Sequence, residues 1–188
     1  ENDFFDIKIS LKASDIWKTI DAYRLLAKKV DYPFHIGITE AGTVFSGSIK
    51  SAVGLGVLLA EGLGDTLRVS ITGDPVEEVR VGWEILRSLK LRQRGVNIIS
   101  CPTCGRIKID AIRLVTEIEK RLSHITKPVN VAVMGCVVNG PGEAVESDIG
   151  IAGGDGVGLL YVGGQVVRKV TEDNIIDAVI EELERMVK

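Results

Sequence analysis

Apolar and polar positions along the first half of the chain alternate between two periods. Phe4 to Leu11 (FFDIKISL), Phe34 to Thr39 (FHIGIT) and Thr66 to Thr72 (TLRVSIT) each read as a strand. Helix-period segments lie between and after them. The first begins near Asp15, with Ser14 as N-cap and Ile16, Ile20, Tyr23 and Ala27 on one face. The second, rich in Ala, Gly and Leu, runs from about Phe45 to Glu61, and its glycines read as close helix–strand packing. The third opens at Asp74-Pro75, where Asp74 caps, Pro75 takes the first helical position and Glu77 completes a capping box. Val79, Trp83, Leu86 and Lys90 share its face. The strand-end positions Leu11, Thr39 and Ser70 lie 28 and 31 residues apart. A parallel (β/α)8 barrel averages about 31 residues per unit, so the rhythm fits its last three units. A small open doubly wound sheet is the alternative.

The pattern changes after Gly95. VNIIS predicts a short strand ending at Cys101, and a helix follows from about Asp110 to Leu122 with Ile112, Val115, Ile118 and Leu122 in line. NVAVMG predicts another strand. DIGIAGG and VGLLYVGGQVVRKV predict two or three more, and Thr171 caps a final helix bearing Ile175, Val179, Leu183 and Met186. The expected order is β-α-β-β-β-α. The reading is thus α/β over residues 1–95 and a small α+β domain over 96–188.

The 188 residues are 45% hydrophobic and 26% charged, with a net charge of −3, which excludes disorder and gives no basic face for nucleic acid. The longest apolar run, Ala52 to Ala60, is far short of the ~20 residues that span a bilayer. With no secretory signal, a cytoplasmic and reducing location is expected, and a Cys101–Cys104 disulfide is not. The chain opens on Glu1-Asn2-Asp3 just ahead of a strand, from which part of a longer protein is expected.

Cys101-Pro102-Thr103-Cys104 can serve as an iron–sulfur ligand pair, a zinc ligand pair or a redox dithiol. Cys136, in MGCVVNGPGEA, follows another strand end, so three thiolates can converge on one side of the domain. A Cys3His zinc site wants its histidine beside the thiols, and neither His35 nor His124 stands there. A cluster held by three cysteines leaves one iron for an oxygen ligand, either from substrate or from a carboxylate such as Glu143, which on spacing alone also reads as a solvated loop residue. At the barrel-like strand ends, Lys12, Arg68 and Ser70 form a candidate phosphate cradle of two charges and a hydroxyl. Glu40 is a candidate general acid/base, as a partly desolvated carboxylate at a barrel mouth. His35, at a strand start, reads as structural.

HIGITEAG, SCPTCGR and GCVVNGPGEA together resemble the 4-hydroxy-3-methylbut-2-enyl diphosphate synthase family, over essentially the whole chain. The resemblance implies a TIM-type barrel that binds a cyclic diphosphate and a C-terminal domain carrying a [4Fe–4S] cluster. It implies Cys101, Cys104, Cys136 and Glu143 as cluster ligands, Asn139 as a substrate contact, Glu40 as the barrel acid, and Lys12, Arg68 and Ser70 as diphosphate contacts. The implied reaction is the reductive ring opening of 2-C-methyl-D-erythritol 2,4-cyclodiphosphate with loss of water. Its electrons would come from ferredoxin or flavodoxin, and the two domains would work across a head-to-tail homodimer with a hinge near residue 95. The family's chain begins with five further barrel units, and without them turnover is not expected.

Overall fold

The computed structural model describes residues 3–40 and 42–187. The chain divides between Gln93 and Arg94 into two compact units.

The first unit contains α1 (Ile16–Ala27), β1 (His35–Gly37), α2 (Val44–Ala60), β2 (Thr66–Arg68) and α3 (Pro75–Ser88). β1 and β2 run parallel, from His35↔Thr66 to Gly37↔Arg68, and isolated parallel bridges join Ile9 to Phe34 and Thr43 to Thr72. The helix-facing side of these strands, including Ile36 and Val69, packs with Ile20, Tyr23, Leu55, Leu58 and Ile85. Alternation then places His35, Gly37 and Thr39, with Thr66, Arg68 and Ser70, on the opposite, polar side.

The first expected strand contracts to its bridge at Ile9. Phe4 and Phe5 are 65% and 72% exposed, so little apolar burial offsets the entropy of ordering them. What holds the segment is Tyr23, whose hydroxyl accepts from the Leu11 N–H at 2.9 Å and lies 2.7 Å from the His35 carbonyl. β1 and β2 are also shorter than their apolar runs. Beyond β1 the Thr39 N–H leaves the ladder and donates to the Ala13 carbonyl at 3.1 Å.

Local details of the helices differ from expectation in three places. Asp15, not Ser14, caps α1, its Oδ1 accepting from the Lys18 N–H at 2.7 Å. Asp74 caps α3, but Glu77 pairs with Arg80 at 2.5 Å in place of a capping box. Glu78 instead accepts from the Ile71 N–H at 2.9 Å. The buried stripe of α3 runs through Gly82 and Ile85, leaving Val79 61% exposed and Lys90 beyond the helix. Gly82 explains the rotation: a Cβ there would sit 3.1 Å from Leu67 Cδ1, so the bare backbone lets α3 approach β2. Val79, Trp83 and Leu86 line a cleft of about 370 Å³ with His35, Leu67 and Arg68. The glycine-rich α2 does pack closely at Gly54, where a Cβ would lie 2.5 Å from Ile38 Cδ1, whereas Gly56 faces open space.

The second unit contains β3 (Val96–Ser100), α4 (Ala111–Leu122), β4 (Val129–Met134), α5 (Gly140–Glu146), β5 (Ile149–Gly154), β6 (Val157–Val162), β7 (Gln165–Thr171), a 3-10 turn (Glu172–Asn174) and α6 (Ile175–Val187). One five-stranded sheet has the order β3-β4-β5-β6-β7, parallel through β5 and antiparallel from there. The side bearing Val131, Val133, Ile149 and Ile151 packs against Leu114 and Ile118 of α4 and Ile175, Val179 and Leu183 of α6. On the other side, Ala144 of α5 packs with Ala152 and Tyr161.

The observed order is therefore β-α-β-α-β-β-β-α, because the loop NGPGEA contains a helix. A Pro in its first turn favours helix initiation, and two glycines let it lie close on the sheet. A Cβ at Gly150 would come within 2.5 Å of Ala144 Cα, and one at Gly140 within 2.8 Å of Ala152 Cβ. The buried face of α4 is Ala111, Leu114, Ile118 and Leu122, with Ile112 66% exposed. Thr171 caps the 3-10 turn without a backbone bond, its hydroxyl accepting from Asn174 Nδ2 at 2.9 Å. Among the described residues, no helix is long and apolar enough to cross a membrane.

Candidate functional site

β3 and β4 are parallel neighbours with Ser100 opposite Val133, so Cys101, directly after β3, and Cys136, two residues after β4, leave the sheet at the same end. The Gly135 N–H donates to Cys101 Sγ at 3.2 Å. Only glycine fits there, since a Cβ would lie 2.5 Å from Ile107 Cγ1. The Cys101–Asp110 loop folds back on this strand end through the Lys108 N–H, which donates to the Gly135 carbonyl at 2.8 Å, and closes on itself through Ile107 N–H to the Cys104 carbonyl at 3.1 Å. All three thiols are free: Cys136 is buried, Cys101 half-buried and Cys104 exposed.

The Cys136 thiol is held below its ordinary pKa. The Asn139 and Val138 backbone N–H groups are the main cause; Arg106 and the Gly140 N–H add to it, and burial opposes. The turn entering α5 is thus a cage of main-chain donors that favours the thiolate, the form that binds metal. Asn139 precedes α5 and makes no side-chain capping bond; Glu143 is in the first turn of α5, and both are exposed. Among the described residues, no three His, Cys, Asp or Glu side chains are placed to share one ion. A zinc ion needs all its ligands within about 2.3 Å of one point. A polynuclear cluster takes each ligand on a different iron, and the donors that the two strand-end loops carry, Cys101, Cys104 and Cys136 with Glu143 in the first turn of α5, have the chemistry for one.

On the polar side of the first unit, Arg68 reaches along the strands, donating through Nε to Ser70 Oγ at 3.2 Å and through Nη2 to Thr39 Oγ1 at 2.9 Å. Thr39 carried no signal in sequence beyond a hydroxyl at a strand end. Lys12 is exposed, and none of Lys8, Lys12 and Arg68 forms an ion pair among the described residues. That positive charge is felt at His35: burial, then Lys8, Arg68 and Lys12, hold its imidazole below the ordinary value. His35 Nδ1 lies 2.8 Å from Thr66 Oγ1, at the start of β1. Glu40 follows Thr39 with φ +56 and is exposed in this unit, not partly desolvated as expected. Ala41 of the HIGITEAG stretch lies outside the described residues.

Residues 1–83 match the family model described as GcpE TIM-barrel domain, and residues 97–185 match GcpE protein C-terminal domain. A Geobacter sulfurreducens protein named 4-hydroxy-3-methylbut-2-en-1-yl diphosphate synthase (flavodoxin) is 67% identical over 180 residues, covering 96% of this chain and 51% of the relative. A Symbiobacterium thermophilum protein of the same name is 62% identical over 185 residues, covering 98% of this chain and 50% of the relative. The chain spans about half the length of these curated relatives.

Proposed function

The chain belongs to the GcpE family, and on that footing we propose that it supplies part of the machinery for the reaction its relatives are named for. In this reading residues 1–95 are the last three βα units of a TIM-type barrel and residues 96–188 are an iron–sulfur domain. The substrate is 2-C-methyl-D-erythritol 2,4-cyclodiphosphate. Two electrons and two protons open the ring and release one oxygen as water, giving 4-hydroxy-3-methylbut-2-enyl diphosphate.

Lys12, Arg68 and Ser70 bind the diphosphate. Their side of the strands already carries positive charge with no ion-paired carboxylate among the described residues, so an anion relieves repulsion there. Glu40, which follows Thr39 at the strand end, is the general acid for the departing hydroxyl. Asn139 orients the substrate through an amide not consumed by helix capping. Cys101, Cys104, Cys136 and Glu143 would hold a [4Fe–4S] cluster, which when bound supplies single electrons and a Lewis-acidic iron. Glu143 would be the exchangeable member of the set, since a surface carboxylate on a short helix can withdraw without disturbing the sheet. Flavodoxin, in the name of the relatives, is the electron donor we assign, with ferredoxin the other candidate. The two domains act across a head-to-tail homodimer, in a reducing cytoplasmic compartment that keeps the thiols free.

The observation that carries this reading is that Cys101 and Cys136 leave β3 and β4 at the same end, with the Gly135 N–H on Cys101 Sγ and main-chain N–H groups around Cys136. After anaerobic reconstitution the chain is expected to hold about four iron and four sulfide and to be coloured. One zinc per colourless chain would support a structural zinc module instead. A metal-free chain that exchanges disulfides through Cys101 and Cys104, indifferent to Cys136, would make it a thiol–disulfide oxidoreductase.

A further inference from the structure

We propose that Thr39 is a positioning residue that aims Arg68 at the diphosphate and ties it to the Lys12 segment; this rests on the reading of Lys12, Arg68 and Ser70 as the diphosphate cradle. An arginine on an open strand face has many rotamers, and here three features restrict it. Thr39 Oγ1 accepts from Nη2 at 2.9 Å, and Ser70 Oγ accepts from Nε at 3.2 Å. Gly37 forms the floor: a Cβ there would stand 3.1 Å from Arg68 Cβ and 3.2 Å from Nε, so a larger residue would push the side chain off its course. Two of the five guanidinium N–H bonds are thereby engaged, and both Nη1 protons with one on Nη2 remain for an anion.

The backbone of Thr39 makes the second connection. Its N–H donates to the Ala13 carbonyl at 3.1 Å, one residue past Lys12. Ala13 is itself in a fixed turn, because the Thr19 hydroxyl lies 3.4 Å from the same carbonyl and 2.8 Å from that of Asp15. One residue therefore holds Arg68 by its side chain and the Lys12 segment by its main chain, and is peptide-bonded to Glu40. Among the described residues, the Ser70 hydroxyl bonds to Arg68. The spacing between the two cations depends on Thr39 in a way that neither cation supplies alone.

The test is calorimetric binding of inorganic diphosphate to the full chain, with thermal midpoints recorded for each variant. Thr39→Val keeps the side-chain shape and removes the acceptor, and is expected to weaken binding about tenfold, the scale of one hydrogen bond to a charged group. Thr39→Ser restores the oxygen and should bind within about twofold of the parent. In an Arg68→Ala background, Thr39→Val should add nothing, since its effect passes through the missing guanidinium. An unchanged affinity in Thr39→Val, a loss that serine does not rescue, or an equal loss in the Arg68→Ala background would each overturn the role of Thr39 while leaving the cradle intact. Arg68→Ala binding as tightly as the parent would overturn the cradle itself, and the role of Thr39 with it.

Discussion

Replacing Cys136 with serine is expected to take iron after anaerobic reconstitution from about four per chain to near zero, with loss of the visible chromophore. The substitution changes one atom, so the fold should persist. Far-UV circular dichroism and the thermal transition of the metal-free chain should stay close to those of the parent. What disappears is a soft ligand at a position where the chain has arranged several main-chain donors around it. A serine hydroxyl is far harder to ionise than a thiol, and the N–H groups of Val138 and Asn139 cannot close that gap. The exposed Cys104 is the informative contrast, because it has more freedom to be replaced by solvent or by an added thiol. Full iron in Cys136→Ser would remove this residue from the ligand set.

Much of the arrangement behind that expectation was legible in the amino-acid pattern. Alternation along FHIGIT and TLRVSIT separates Ile36 and Val69, which enter the core, from His35 and Arg68, which do not. The same alternation in NVAVM places Val131 and Val133 against α4 and α6. The helix inside NGPGEA was not legible, because glycine serves two ends that look alike in sequence. It permits turns, and it permits close approach; at Gly140 and Gly150 the second use dominates. The cage around Cys136 depends on that helix and was hidden with it. The face of α3 is hard to read from the pattern for the same reason, since Gly82 contributes no hydrophobic signal yet a Cβ there would meet Leu67 Cδ1 of β2 at 3.1 Å. Phe4 and Phe5 gave the opposite error, reading as strand while remaining exposed. Thr39 belongs to no motif of its own, and its importance comes from partners 26 residues before and 29 after it.

Glu40→Gln is the second large effect. In a full-length synthase containing this chain, kcat is expected to fall between about 10² and 10⁴-fold, with KM changed by no more than a few-fold. The amide preserves size and hydrogen bonding but cannot deliver a proton to a leaving hydroxyl. Its position is set by a left-handed residue after Thr39, so the substitution should not disturb Arg68 or Ser70. A selective loss in kcat separates a proton donor from a binding group. A parallel rise in KM with kcat retained would assign Glu40 to substrate binding and require another acid.

The most direct measurement joins these two units to the rest of a relative, of which they match about half. Fusing these 188 residues to the part of the Geobacter sulfurreducens protein outside the aligned 180 residues, which are 67% identical and make up 51% of it, gives a protein of the relatives' length. Reconstituted anaerobically and given the cyclic diphosphate with reduced flavodoxin, it should form the linear allylic diphosphate, one molecule for every two electrons consumed. A correctly folded chimera that binds four iron and four sulfide yet releases no linear diphosphate would contradict the proposed function.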